Sequence, residues 1–457
     1  MKVPMPDLAR NPLSWIGAAL VTLSAGLFLL VFAFELAGWH ANPYIGIVFF
    51  LLMPGLFVLG LVLIPVGMWR EARARRRGVV RGPFQWPVIN LNTPRQRTVI
   101  GTVALLTVAN LLIISLAASR GVHYMESVEF CGQVCHEVMQ PEFVSHGAGP
   151  HARVSCVSCH VGSGVPWFVR SKLSGVRQLY AVATNSYSRP IPTPVHNLRP
   201  AADTCERCHW PEKFHGDKVR AVREYADDEA NTESVTNLRL HVGGGSASVG
   251  PVQGIHWHTS PANQIEYIAT DDKRQVVPWV RLRKANGEVK EWVADGVPPE
   301  QIATGERRRM DCMDCHNRPS HTLATSAERA VDLAMAQGQI PRTLPFVRRE
   351  AVRLLKQAYP SHEAANTAIR GGLETFYRAE HPAVLASGQP ALEGAIAAVQ
   401  RVYGRNVFPT MKVSWGSYAN NIGHMDFPGC FRCHDDSHKA KDGTTISQDC
   451  STCHTLE

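Results

Sequence analysis

Charge is scarce in this chain of 457 residues, and its surplus is confined to one end: Asp, Glu, Lys and Arg make up 19% of the sequence. The net +8 resides wholly in residues 1–121, where 11 Lys+Arg stand against 3 Asp+Glu, and the rest is balanced. That excludes a basic nucleic-acid-binding face on the larger part and makes the high pI a signal of topology. No cysteine is left over either. All twelve fall into six close pairs, and a histidine follows every pair at once. Three stretches near the N-terminus carry no charge at all: Asn11 to Phe34, Tyr44 to Met68 and Thr98 to Ser119.

Five pairs read C-x-x-C-H: Cys156/Cys159/His160, Cys205/Cys208/His209, Cys312/Cys315/His316, Cys430/Cys433/His434 and Cys450/Cys453/His454. The pair nearest the N-terminus, Cys131/Cys135/His136, has one residue more between its cysteines. This is the attachment pattern of c-type haem, in which two thioethers fix the vinyl groups and the adjacent imidazole reaches the iron. Zinc ribbons also use C-x-x-C pairs, but zinc does not account for a histidine after all six. The sequence therefore predicts six covalent haems c on residues 131–454.

Haem c is attached outside the bacterial inner membrane, so this part must be exported. The charge-free runs predict spans at about 12–36, 44–68 and 98–119. Each can cross a hydrocarbon core of about 30 Å at about 1.5 Å per residue. A cleaved signal peptide is the competing account of the first run; its apolar stretch is too long and a second span follows directly. The 69–97 loop holds Arg70, Arg73, Arg75, Arg76, Arg77, Arg81, Arg95 and Arg97 against Glu71, while the short connection around 37–43 has no Lys or Arg. The N-terminus and the arginine loop are thus expected in the cytoplasm, and residues from 122 onward in the periplasm. Glu35 is the one carboxyl within a span, with His40 just beyond. It is either a proton acceptor for quinol or the polar end of a helix reaching for the interface.

Six haems on residues 122–457 leave too little chain for an ordinary hydrophobic core around each, so haem must supply much of the core. The expected fold is mostly α and irregular: three transmembrane helices, then a periplasmic multihaem domain with low regular secondary structure and a small β-like insertion. Segments follow as 1–121 (membrane), 122–215 (haems one to three), 216–305 (insertion), 306–325 (haem four), 326–415 (helical spacer) and 416–457 (haems five and six). Within the insertion, Gln264 to Tyr267, Gln275 to Leu282 and Glu288 to Val293 alternate as strands do, with a turn at Ala285-Asn286-Gly287. Helical periodicity marks 323–404, with Ala330, Val331, Leu333 and Ala334, then Val352, Leu354 and Leu355.

Twenty histidines exceed the six of the motifs, and bis-histidine haems each need a second imidazole. Distal candidates are His151, His196, His241, His256, His258, His321, His424 and His438. The first haem differs, with its wider spacing and with Met139 close behind His136. A thioether ligand raises the potential of a haem, as suits an entry point, although Met139 also reads as a packing residue.

Phe130-Cys131…Cys135-His136-Glu137-Val138-Met139 and His151-Ala152-Arg153-Val154-Ser155-Cys156…His160 resemble the NapC/NirT family of membrane-anchored quinol dehydrogenases. The likeness continues through Lys172, Leu179-Tyr180, His196 and Cys205…His209, and resumes at Cys312…His316 with His321. It covers roughly 125–215 and 305–325. It implies a domain that takes electrons from menaquinol at the first haem and hands them to a periplasmic c-type cytochrome or reductase. It further implies Lys172 in the quinol pocket and His151, His196 and His321 as axial ligands. Gln178 stands where many members have an acid, which brings Glu35 or Glu142 forward as the proton acceptor. The extra spans, the two added haems and the insertion resemble the larger quinol-oxidising inner-membrane cytochromes of metal-reducing bacteria. Two other readings stand beside this one. A non-catalytic electron-transfer subunit of a larger quinone-linked complex, or a homo-oligomer, is compatible with the residues. A terminal oxyanion reductase would need an open haem position, and the chain has no C-x-x-C-K variant.

Overall fold

The computed structural model describes residues 9, 11–36, 53–77, 90–98, 101–102, 105, 109, 120, 123–134, 136–161, 165–195, 199–210, 214–243 and 253–457. The chain forms two compact units: residues 1–124 with 161–177, and residues 125–160 with 178–457. The described residues are about half helical, with eight strands in two sheets. Regular structure is thus more abundant than the motif density led us to expect. The surplus lies where no haem motif stands.

In the first unit α1 (Pro12–Leu36) pairs with α2 (Met53–Arg76). Asn11 opens α1 by accepting the Ser14 N–H on its side chain at 2.9 Å, a helix start that needs no charge. Ser14 in turn donates to the Ile64 carbonyl of α2 at 3.0 Å. The two helices touch through glycine: a Cβ on Gly17 would lie 2.7 Å from the Gly60 carbonyl oxygen, and one on Gly60 equally close to that of Gly17. Such crossings let apolar helices pack backbone to backbone. Among the described residues one stretch, Gly55–Ala74, is long and apolar enough to cross a membrane. The second run was expected to end at Met68, but α2 continues through Arg70 and Arg73 to Arg76, because arginine is a good helix former. Arg73 lies over the Trp69 ring at 5.3 Å. The stretch 98–119 lies outside the described residues but for Thr98, Gly101, Thr102, Leu105 and Ala109.

The second unit begins its longer elements with α3 (His136–Gly147). Helix α4 (Val165–Ala183) starts in the first unit and ends in this one. A five-stranded antiparallel sheet has the order β6-β3-β4-β5-β7, made of β3 (Asn263–Ile268), β4 (Trp279–Lys284), β5 (Val289–Ala294), β6 (Arg307–Arg309) and β7 (His438–Ala440). Strand β4 starts at Trp279, later than the alternation from Gln275 suggested. The Asp271 carboxylate captures the N–H groups of Gln275 (2.8 Å) and Val276 (2.7 Å) and turns the chain there. Gly287, at φ +85°, completes the turn into β5. A second sheet joins β1 (Lys218–Tyr225), β2 (Glu233–Leu240) and β8 (His454–Leu456). The sheets place motifs: β6 leads into Cys312, Cys433 packs against the buried cluster that Ile265, Tyr267, Val280 and Leu282 form on β3 and β4, and β8 begins at His454 itself.

Four longer helices follow the fourth motif: α5 (Ala327–Ala336), α6 (Val347–Leu355), α7 (His362–Glu380) and α8 (Gln389–Asn406), with the short helix Pro382–Ser387 between the last two. Ser326 and Ser361 cap α5 and α7, each accepting a backbone N–H at 3.2 Å. Their apolar faces bury Val331, Leu355, Ile369, Leu373, Tyr377 and Ile396 almost completely. This is an ordinary hydrophobic core, built without any motif.

Candidate functional site

Each described C-x-x-C-H motif is a single tight turn. Cys156–His160 and Cys312–Cys315 are α-helical, while Cys205–Arg207, Gly429–Arg432 and Cys450–Thr452 are 3-10 turns. In three of them the histidine N–H donates to the carbonyl of the first cysteine, at 2.8 Å for His209 and His316 and 3.1 Å for His434. That bond brings thiols and imidazole to one side of the turn. Motif four is pinned further. Asp314 is buried, accepts from the Tyr267 hydroxyl at 2.6 Å and Arg308 Nε at 3.1 Å, and closes a capping box with Asp311. The eleven described cysteines are free of disulfides.

Five motif histidines face a second histidine. Ring centroids are 6.2 Å apart for His160 and His321, 6.0 Å for His209 and His151, and 6.5 Å for His316 and His256. They are 5.8 Å apart for His434 and His258, and 6.1 Å for His454 and His424. Two metal–nitrogen bonds of about 2 Å each, with the rings beyond them, set facing imidazoles about 6 Å apart. The spacing is that of a bis-histidine iron.

Hydrogen bonds fix which nitrogen is left for the metal. Nδ1 of His321 donates to the Glu142 carbonyl (3.0 Å), of His151 to Pro319 (3.2 Å) and of His256 to Val242 (3.1 Å). Likewise His258 donates to Ile255 (2.8 Å) and His434 to Ser447 (2.9 Å). A backbone carbonyl on Nδ1 holds the ring and turns Nε2 outward. Burial pushes the imidazoles of His160, His256, His258, His316 and His321 down from the ordinary histidine value, so they stay neutral as ligation requires. Aromatic rings wall two distal histidines: Phe214 stacks on His256 at 4.2 Å and Phe431 on His424 at 4.1 Å.

Other expected residues fall elsewhere. His438 is buried with both ring nitrogens engaged, Nδ1 by Asp435 (2.8 Å) and Nε2 by the Val277 carbonyl (2.7 Å), which leaves none for iron. It is a structural histidine between β7 and the loop before β4. His241 holds Asp217 at 3.2 Å and faces no motif histidine among the described residues. Glu142 is mostly buried; Arg318 Nη2 reaches both its oxygens at 3.1 and 3.0 Å, and His321 Nδ1 lies 3.1 Å from one of them. Met139 is half-buried on α3, and Lys172 and Gln178 lie along α4. His196, Cys135, and the side chains of His136 and Glu35 lie outside the described residues. Sequence reasoning missed Arg318, which also sits 3.9 Å above the Tyr418 ring. Its signal was position, between His316 and His321.

The donor set fits haem better than a bare metal ion. Among the described residues no three or more His, Cys, Asp or Glu gather at one point, whereas a zinc site needs four ligands. The Arg199 Nε and Thr204 Oγ1, near motif three, are buried without a protein partner, donors that a haem propionate would satisfy.

No family model matches the chain, and no solved structure matches it. The cytochrome c-type protein ImcH of Geobacter sulfurreducens is 43% identical over 448 residues, which are 98% of this chain and 88% of that protein. At that identity and coverage, with the same chemistry written into the six motifs, the chain belongs to the family of this cytochrome c-type protein.

Proposed function

We propose that this protein is an inner-membrane hexahaem c-type cytochrome that oxidises menaquinol and passes the electrons through its haems to a periplasmic acceptor. The five facing histidine pairs carry the reading, because closed bis-histidine sites suit transfer and not substrate binding at iron. Bound there, each haem iron supplies a one-electron couple. The chain's own residues do the rest. Cysteines of each motif tether the group, the paired histidines close the iron, and carbonyls on Nδ1 hold the rings of His151, His256, His258, His321 and His434 in register.

Menaquinol gives up two protons and two electrons as it becomes quinone. Lys172 lies on α4, whose Leu173, Val176, Leu179 and Tyr180 are exposed. A basic helix with bare apolar side chains suits a site at the membrane surface. Glu142 is committed to Arg318 and His321, which leaves Glu35 as the carboxyl for the quinol proton. Three spans with the N-terminus in the cytoplasm remain our topology, on the charge pattern and the paired α1 and α2. The same closed pairs speak against a terminal oxyanion reductase.

The test is stopped-flow haem reduction in purified membranes given a menaquinol analogue, in wild type and Lys172→Ala, with and without a quinone-site inhibitor. Fast, inhibitor-sensitive reduction that the substitution abolishes is expected. Haems that stay oxidised with quinol yet reduce with dithionite would show a wire fed by a partner protein instead.

A further inference from the structure

The motifs are neighbours in space in the order in which they occur in the chain. The Cys131 and Cys156 thiols are neighbours, bringing motifs one and two together. Cys159 and Cys208 interact across motifs two and three, and His151 of the third pair donates to Pro319, two residues before His321 of the second. The thiols of Cys205 and Cys312 are neighbours between motifs three and four, where the short helix Ala201–Thr204 leading into motif three packs against the turn Cys312–Cys315.

Motif five meets motif four through Arg432 Nη2, which donates to the Asp314 carbonyl at 2.7 Å, and through the neighbouring thiols Cys315 and Cys430. His256 and His258, facing motif histidines four and five, share the single turn Ile255–Thr259. Cys430 and Cys453 then link motifs five and six, and Phe431 of motif five stacks on His424, which faces His454 of motif six. Every consecutive step from two to six has at least two independent links.

We propose that the six haems stand in single file in motif order, so that electrons entering at the first leave from the sixth, whose attachment turn begins at the exposed Cys450. The inference rests on the bis-histidine reading above. In a single file an interior haem has two neighbours and the last has one. A charge added to one haem shifts the potentials of those beside it far more than of those beyond, since Coulomb interaction falls with distance and screening.

The experiment is a redox titration of the full-length holoprotein, haem loading verified by mass, with one distal histidine at a time changed to methionine to raise that haem's potential. His424→Met is expected to give one raised component and move the midpoint of one further haem, the fifth. His258→Met is expected to move two, the fourth and sixth. His151→Met, at the third haem, gives the same count of two and serves where His258→Met fails to load. Two or more neighbours moved by His424→Met, or a single one by either interior variant, overturns the single file. A loaded variant without any raised component overturns the ligand pairing itself, a separate failure.

Discussion

Residues 125–210 and residues 326–407 solve the problem of an interior in opposite ways. In the second stretch α5 to α8 bury Val331, Ala351, Ile369, Leu373, Tyr377 and Ile396 as any small helical domain does. In the first, the buried positions among the described side chains are Gly132, Pro141, Ser145, His146, Arg199 and Ala201. That set cannot hold a fold together, since hydrophobic burial is the main favourable contribution and almost none is present. The stretch with three motifs is a mould; the stretch without motifs is a self-standing body. A chain that binds many large apolar cofactors can leave its own interior out where they sit, and must put it back where they do not.

The largest effect expected from this contrast comes from making the chain without haem attachment. Limited proteolysis of the unmatured protein should cut freely in 125–210 and spare 326–407. Equal protection of both would break the comparison. Next, Leu373→Ala should remove about 2–5 kcal/mol from the helical body. The visible spectrum of the holoprotein should keep its low-spin form at temperatures below the earlier melting transition, which calorimetry with parallel absorbance would read.

A pair of histidine substitutions sharpens the line between mould and body. His258→Ala should turn one haem high-spin, visible in absorbance and electron paramagnetic resonance. His438→Ala should leave the spin state of the haems unchanged and cost about 1–3 kcal/mol of stability, the price of orphaning buried polar partners. The smallest effect is expected from Glu142→Gln. A carboxylate beside a ligating imidazole raises its basicity and favours the oxidised iron, so the substitution should move one midpoint upward and leave the others in place. Spectropotentiometric titration decides it.

The attachment turns were legible because their geometry is local: thiols and imidazole within one turn need only the residues of that turn. The helices of 326–407 and the turn at Gly287 were legible for the same reason, through periodicity and the Asn286-Gly287 pair. The hairpin of β1 and β2 was not, because its strands are largely exposed on both faces and show no alternation to read. The pairing of histidines was illegible too. His321 and His151 are aimed by the carbonyls of Glu142 and Pro319, 179 and 168 residues away, so nothing local to either histidine marks its partner. His438 looked like any other spare histidine, and only its two occupied nitrogens set it apart.

The turn Ile255–Thr259 has a consequence for how the protein is made. It offers His256 to one motif and His258 to another, so one short clasp closes two compartments at once. In the unaltered chain, seating the turn brings both imidazoles to their motifs together. Immature molecules isolated during assembly should therefore have the fourth and fifth irons both six-coordinate or both missing their outer ligand, with the half-closed species scarce.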